Sequence, residues 1–274
     1  AYPFHYTRLF IYYWYWKKSI NDYRMKQPLK FLPYFRNTLW GGKEISRFKQ
    51  ISVNCRNIGE SWELSAVPGY ESIVAEGIDM GLTLNDLTAK YGETLVGHRI
   101  YGRYGTRFPL TIRLIDASQD LPLDTLRDQT PDADAPEGYG NACMWYILNA
   151  SEGAMIYTDT EGNLESHPGD ALYMPARYVK AIGAGNFLVE IQQAGDAEHI
   201  DPNDIRVEYE EVTGSRVFSN PEQALMSIVC LKGAGKLKIS NILTTVQQGE
   251  TILIPAAADS FEVEGYLSLL KVAI

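Results

Sequence analysis

The sequence predicts an all-β protein made of two jelly-roll barrels with a few short helices, and three observations carry that expectation. Short apolar or alternating runs separated by Gly, Pro, Asn and Asp fill the chain from Phe108 onward, which is the rhythm of a β-sandwich or barrel. The stretch 169–176, G-D-A-L-Y-M-P-A, returns eighty residues later at 249–256 as G-E-T-I-L-I-P-A, the mark of two similar modules in succession. The length of 274 residues also exceeds what one hydrophobic core usually serves.

The strands expected from these runs are 108–115, 144–148, 171–174, 186–192, 251–254 and 267–272. In each repeated unit a Gly-acid pair makes the turn, four mostly apolar residues form a buried strand, and a proline ends the ladder because it has no N–H to donate. One helix is expected over 83–95. Thr83 caps it with Asp86 three residues on, and Leu84, Leu87, Tyr91 and Leu95 form its apolar stripe. Asn220-Pro221-Glu222 reads either as a helix start or as the lead into a buried strand over 224–231, and the strand is the favoured reading.

Composition excludes several classes. A net charge of −9 without a basic stripe disfavours nucleic acid as a partner. Cys55, Cys143 and Cys230 stand far apart without a C-x-x-C pair, so they read as inert thiols in a reducing cytoplasm rather than as disulfides or a zinc knuckle. Ten of the first 24 residues are aromatic, and 9–16 reads L-F-I-Y-Y-W-Y-W. That run is too short for a transmembrane span of about 20 residues and lacks the layout of a signal peptide. Its Tyr/Trp content suits an interfacial contact, but the favoured reading of residues 1–24 is an extension outside the core. The first barrel is then expected over 25–200 and a second, smaller one over 201–274.

An ordered series of motifs is more specific: Trp40-Gly41-Gly42; G-E-S-W-E-L-S at 59–65; Phe108-Pro109-Leu110; Met144-Trp145-Tyr146; His167-Pro168-Gly169-Asp170; A-I-G-A-G at 181–185; and Glu190-Ile191-Gln192-Gln193. From Leu29 to Ile274 the chain resembles type I mannose-6-phosphate isomerase, short bacterial form. The resemblance implies two cupin barrels, a catalytic Zn²⁺ in the first, and mannose 6-phosphate and fructose 6-phosphate as the interconverted sugars. Moving a proton between C1 and C2 needs a base and a stabilised enediol oxygen, which a divalent ion in an open site can hold.

The residues that the resemblance assigns to the metal are replaced. Asp120-Leu121-Pro122-Leu123 matches the family run that precedes Q-V-H-P-D-D, so the ligand Gln falls on Asp124 and the ligand His on Leu126. The family's G-K-T-E-M-W-Y reads G-N-A-C-M-W-Y at 140–146, which puts Cys143 at the Glu ligand and Asn141 at the Lys. V-H-A-I-G reads V-K-A-I-G at 179–183, so the second ligand His is Lys180. The helical insert expected after Met155-Ile156 shrinks to a short turn over 159–165, and the arginine-bearing loop is replaced by 194–204, with Arg206 nearby but outside any motif. His5, His98, His167 and His199 show no ligand spacing.

The expectation is therefore a degenerate metal site with no retained zinc. Asp124, Cys143, Lys180, Glu190 and Arg177 are the pocket candidates. Lys180 either forms a buried ion pair with Asp124 or Glu190, or acts with Arg177 to hold the phosphate or carboxylate of a small ligand such as a sugar phosphate. The acidic segment 124–137 reads as a solvated loop without EF-hand spacing. Three functions follow as rivals: a zinc isomerase, a binding protein for a sugar phosphate or small anion, and a structural or partner-binding bicupin.

Overall fold

A computed structural model describes residues 26–52, 57–119, 143–158, 162–174, 180–193 and 205–274. The aromatic extension, Asp124, Leu126, Arg177, the acidic segment 124–137, the replaced loop 194–204, Cys55, His5 and His199 lie outside them. The chain is all-β with four short helices among the described residues. One antiparallel sheet runs in spatial order β2 (Tyr34–Gly42), β3 (Ile58–Leu64), β5 (Leu110–Ala117), β11 (Asn186–Gln193), β6 (Cys143–Ala150) and β9 (Ala171–Met174). A three-stranded sheet, β10 (Lys180–Ile182), β7 (Met155–Thr158) and β8 (Gly162–Glu165), completes this first barrel. The second module runs β12 (Arg206–Ser219), β16 (Ser260–Ala273), β13 (Met226–Ile239) and β15 (Thr251–Ile254), with β14 (Ile242–Gln247) beside β13. Its sheet continues into β1 (Leu29–Leu32) and β4 (Ile73–Val74) from the start of the chain, with Leu29 opposite Leu253.

Both faces of the six-stranded sheet are buried. On β6, Cys143, Trp145 and Ile147 face the lumen of the first barrel, with Leu188 of β11 and with Ile156 and Ile182 of the facing sheet. Met144, Tyr146 and Leu148 of β6, with Phe187, Val189 and Ile191 of β11, face a central core shared with the second module. A strand covered on both sides reads as a near-continuous apolar run rather than an alternating one, which is why β5, β6 and β11 were legible. A separate core fills the second barrel around Phe218, Ile228, Leu237 and Val263.

The internal repeat holds bond for bond. Gly169 N–H donates to Ile147 O at 2.8 Å and Ile147 N–H to Asp170 O at 2.9 Å; Gly249 N–H donates to Cys230 O and Cys230 N–H to Glu250 O, both at 2.9 Å. The acid closes each turn alike, Asp170 Oδ2 accepting from His167 N–H at 2.8 Å and Glu250 Oε2 from Gln247 N–H at 2.9 Å. Gly169 and Gly249 take φ of +95° and +85°, a region that side chains disfavour.

The helix expected over 83–95 is corrected. Its capping box is formed, Thr83 Oγ1 accepting from Asp86 N–H at 3.1 Å and Asp86 Oδ2 from Thr83 N–H at 3.0 Å, yet α2 (Leu84–Tyr91) stops at Gly92. Gly92 has φ of +54°, which breaks the ladder. Leu95 belongs to a separate turn, α3 (Glu93–Val96), followed by α4 (His98–Tyr104). The preference for strand after Asn220 is right, although β13 runs far past 231. Asn220, 3% exposed, donates through Nδ2 to Ala224 O at 2.9 Å and Ala258 O at 3.1 Å and accepts from Ala224 N–H at 2.9 Å. Asn220→Ala strands these buried groups and is expected to cost about 2–3 kcal/mol, read as a lower urea midpoint with an unchanged slope.

Two motifs are explained by close approach. A Cβ on Gly41 would lie 2.5 Å from Gly59 N, so Trp40-Gly41-Gly42 and the first residue of G-E-S-W-E-L are fitted to each other. The second acid of that motif, Glu63, is held by Lys49 Nζ at 2.8 Å on each oxygen, and the same ammonium donates to Gly249 O at 2.6 Å. The motif thus ties α1 (Glu44–Phe48) and β3 to the repeated turn of the second module.

Candidate site in the first barrel

Residues of β2, β3, β5 and β11 bring four charged side chains into one line. Arg36 Nη1 lies 3.3 Å from Glu60 Oε2, Glu60 Oε1 lies 3.3 Å from Arg113 Nη1, and Arg113 Nε lies 2.7 Å from Glu190 Oε1. The signs alternate along the line. Two indoles complete it: Trp145 Nε1–H donates to Glu190 Oε2 at 2.7 Å and Trp62 Nε1–H to Glu60 Oε2 at 3.1 Å. The Arg113 guanidinium also lies over the Trp62 ring, 4.9 Å from its centroid, and Tyr70 stacks on that ring at 4.8 Å. Side-chain exposure is 4% for Arg113 and 0% for Glu60, against 35% for Arg36, so the line runs from solvent into the barrel.

Burial alone would depress the Arg113 pKa, but the charges of Glu190 and Glu60 outweigh it and hold the guanidinium above its ordinary value. Cys143, 2% exposed at the start of β6, contributes to the same field. A fixed cation therefore occupies this part of the lumen, because a guanidinium does not deprotonate in a protein.

The site candidates from the sequence divide accordingly. Cys143 and Glu190 are brought to the same lumen, Cys143 pairing across the sheet with Gln192 and Glu190 with Trp145 and Arg113. Lys180 opens β10 opposite Thr158, described by its backbone alone. Asp124 and Arg177 lie outside the described residues. Sequence reasoning missed Glu60, Arg113 and Trp145. The available signal was a charge inside an apolar stretch: Arg113 interrupts P-L-T-I-R-L-I at 109–115, and a charge in a buried strand demands a partner. His98 sits beside Glu93 at 3.1 Å and His167 beside Asp170 at 3.5 Å, both largely exposed. Cys230 is buried in the second barrel, where burial pushes its pKa up to about 12 and suppresses the reactive thiolate.

The donors described in the lumen fit zinc poorly. Among the described residues no three His, Cys, Asp or Glu side chains converge, and an ion bound to Glu190 would face the guanidinium already hydrogen-bonded to it. Like charges at such range repel strongly in a low-dielectric interior.

Comparison with known proteins agrees with this architecture. Residues 203–274 match the family model "Mannose-6-phosphate isomerase, cupin domain". The mannose-6-phosphate isomerase ManA of Bacillus subtilis is 27% identical over 195 residues, 63% of this chain and 60% of the relative. The mannose-6-phosphate isomerase of Streptococcus mutans is 25% identical over 195 residues, 64% of this chain and 60% of the relative. The chain thus spans about 60% of the length of the curated relatives it matches. The crystal structure of mannose 6-phosphate isomerase from Bacillus subtilis superposes with a TM-score of 0.73 at 21% identity, covering 90% of this chain and 100% of that one, which speaks for the fold. The chain is an all-β bicupin whose residues 203–274 match the mannose-6-phosphate isomerase cupin-domain model, and its similarity to enzymes of that name extends over 195 residues.

Proposed function

We propose that the chain is a bicupin of the mannose-6-phosphate isomerase type whose first barrel holds no catalytic zinc and does not interconvert mannose 6-phosphate and fructose 6-phosphate. The observation that carries this reading is the lumen itself, where Arg113 is hydrogen-bonded to Glu190 beside buried Cys143. Cys143 stands where the resemblance expects a glutamate ligand. Isomerisation through an enediol needs a carboxylate or imidazole able to take a proton and an electrophile to hold the substrate oxygens. Glu190 is instead committed on Oε1 to a guanidinium and on Oε2 to an indole, an arrangement suited to structure. Of the other three ligand positions, Leu126 and Lys180 add no lone pair fit for a cation, which leaves Asp124 as the one carboxylate among them.

The test joins elemental analysis with a coupled isomerase assay on the purified chain. Zinc well below one atom per chain is expected, with turnover about 10³-fold or more below that of an active relative, the scale of a lost metal contribution of several kcal/mol. One zinc per chain together with turnover that depends on it would refute the proposal.

A further inference from the structure

A cavity of about 400 Å³ lies on the opposite side of the six-stranded sheet from the lumen, where the two modules meet. The duplication builds it. Leu148 and Asn149 follow Ile147 on one side, Leu231 and Lys232 follow Cys230 on the other, and Ile147 and Cys230 hold equivalent places against the turns of Gly169 and Gly249. Its floor is apolar and aromatic, from Phe187, Leu148 and Leu231 of the central core. Two phenols stand at its side, half-exposed Tyr146 and Tyr209, the latter 48% exposed. Burial, and after it the nearby Tyr209, raise the pKa of Tyr146, so the two rings are neighbours.

The rim carries uncommitted polar groups. Glu44 is already paired with Arg47. The Lys232 ammonium, the Asn149 amide and the Ser268 hydroxyl, by contrast, make no side-chain hydrogen bond or ion pair with the described residues. With Glu44, Arg47 and Lys232 the lining sums to one positive charge, on a chain of net charge −9. A volume of this size suits a small ligand, flat aromatic faces suit the C–H face of a sugar ring, and an unpaired ammonium suits one anionic group.

We propose that this inter-module groove is a binding site for a hydroxylated ring bearing a single anionic group, a sugar phosphate or a sugar carboxylate, with Lys232 taking the anion and Tyr209 the ring. The site is separate from the lumen and stands whether or not the first barrel binds zinc.

Calorimetric titration of the purified chain with mannose 6-phosphate, glucuronate and mannose tests it. At least one of the two acidic sugars is expected to bind, and mannose at least tenfold more weakly than that ligand. Mannose 6-phosphate alone would identify the phosphate as the anion, and glucuronate alone the carboxylate. Tyr209→Ala and Lys232→Glu, both exposed positions, are each expected to weaken binding at least fivefold with the melting temperature unchanged, whereas Lys236→Glu, outside the groove, leaves it unaltered. The proposal is overturned if neither acidic sugar binds, if mannose binds as well as they do, or if binding survives both groove substitutions.

Discussion

Arg113→Met is expected to lower the unfolding free energy by about 3–5 kcal/mol, because it leaves Glu60 and Glu190 as buried carboxylates without the cation between them. Both acids are 3% exposed or less, so water cannot take over the solvation that the guanidinium supplied. The measurement is chemical denaturation followed by tryptophan fluorescence, with Trp62 and Trp145 as reporters beside the site. Restoring neutrality separates charge from packing. The triple variant Glu60→Gln, Arg113→Met, Glu190→Gln is expected to recover much of the loss, since replacing a whole buried ion network often costs little. If Arg113→Met is as stable as the parent, the line of alternating charges does not hold the barrel.

Trp145→Ala is expected to cost a similar amount, about 3–5 kcal/mol, for a different reason. The indole is fully buried in the first barrel with Ile147, Ile156 and Leu188, and its removal leaves a cavity that packed strands fill only in part. Trp145→Phe keeps most of that volume and removes the donor to Glu190 Oε2. It is expected to cost about 1–3 kcal/mol, the penalty of a charged acceptor left short of one bond. A double-mutant cycle between Trp145→Phe and Glu190→Gln measures the coupling directly, and a value near zero would mean that the bond contributes nothing.

The sequence was most informative where strands are buried on both faces and where the modules repeat. β5, β6, β9, β11 and β15 follow from apolar runs, and the twin turns at Gly169 and Gly249 from simple self-similarity. It was least informative before residue 75. β3 buries all seven of its residues, yet two are glutamates, so no apolar period marks it. β1 and β4 are short and find their partners far along the chain. The edge strand β12 is mostly exposed and carries five charges and three Ser or Thr hydroxyls in R-V-E-Y-E-E-V-T-G-S-R-V-F-S beyond its few apolar positions, which hides its pairing with β16. The family motifs assign residues to the ligand positions one by one, whereas the Arg113 pairings could not be read from them. Pairing partners 53 and 77 residues apart are set by the strand order, which only the fold reveals.

The pairing of β1 with β15 carries a kinetic consequence. Lys30 of β1 meets Glu250 at the foot of β15 across 220 residues of chain. At synthesis rates of about 5–20 residues per second, the first strand leaves the ribosome roughly 10–40 s before its neighbour exists. During that wait β1 has only the two-residue β4 to pair with, Phe31 opposite Val74, and the edge of β1 that receives β15 stays open until the last module is translated.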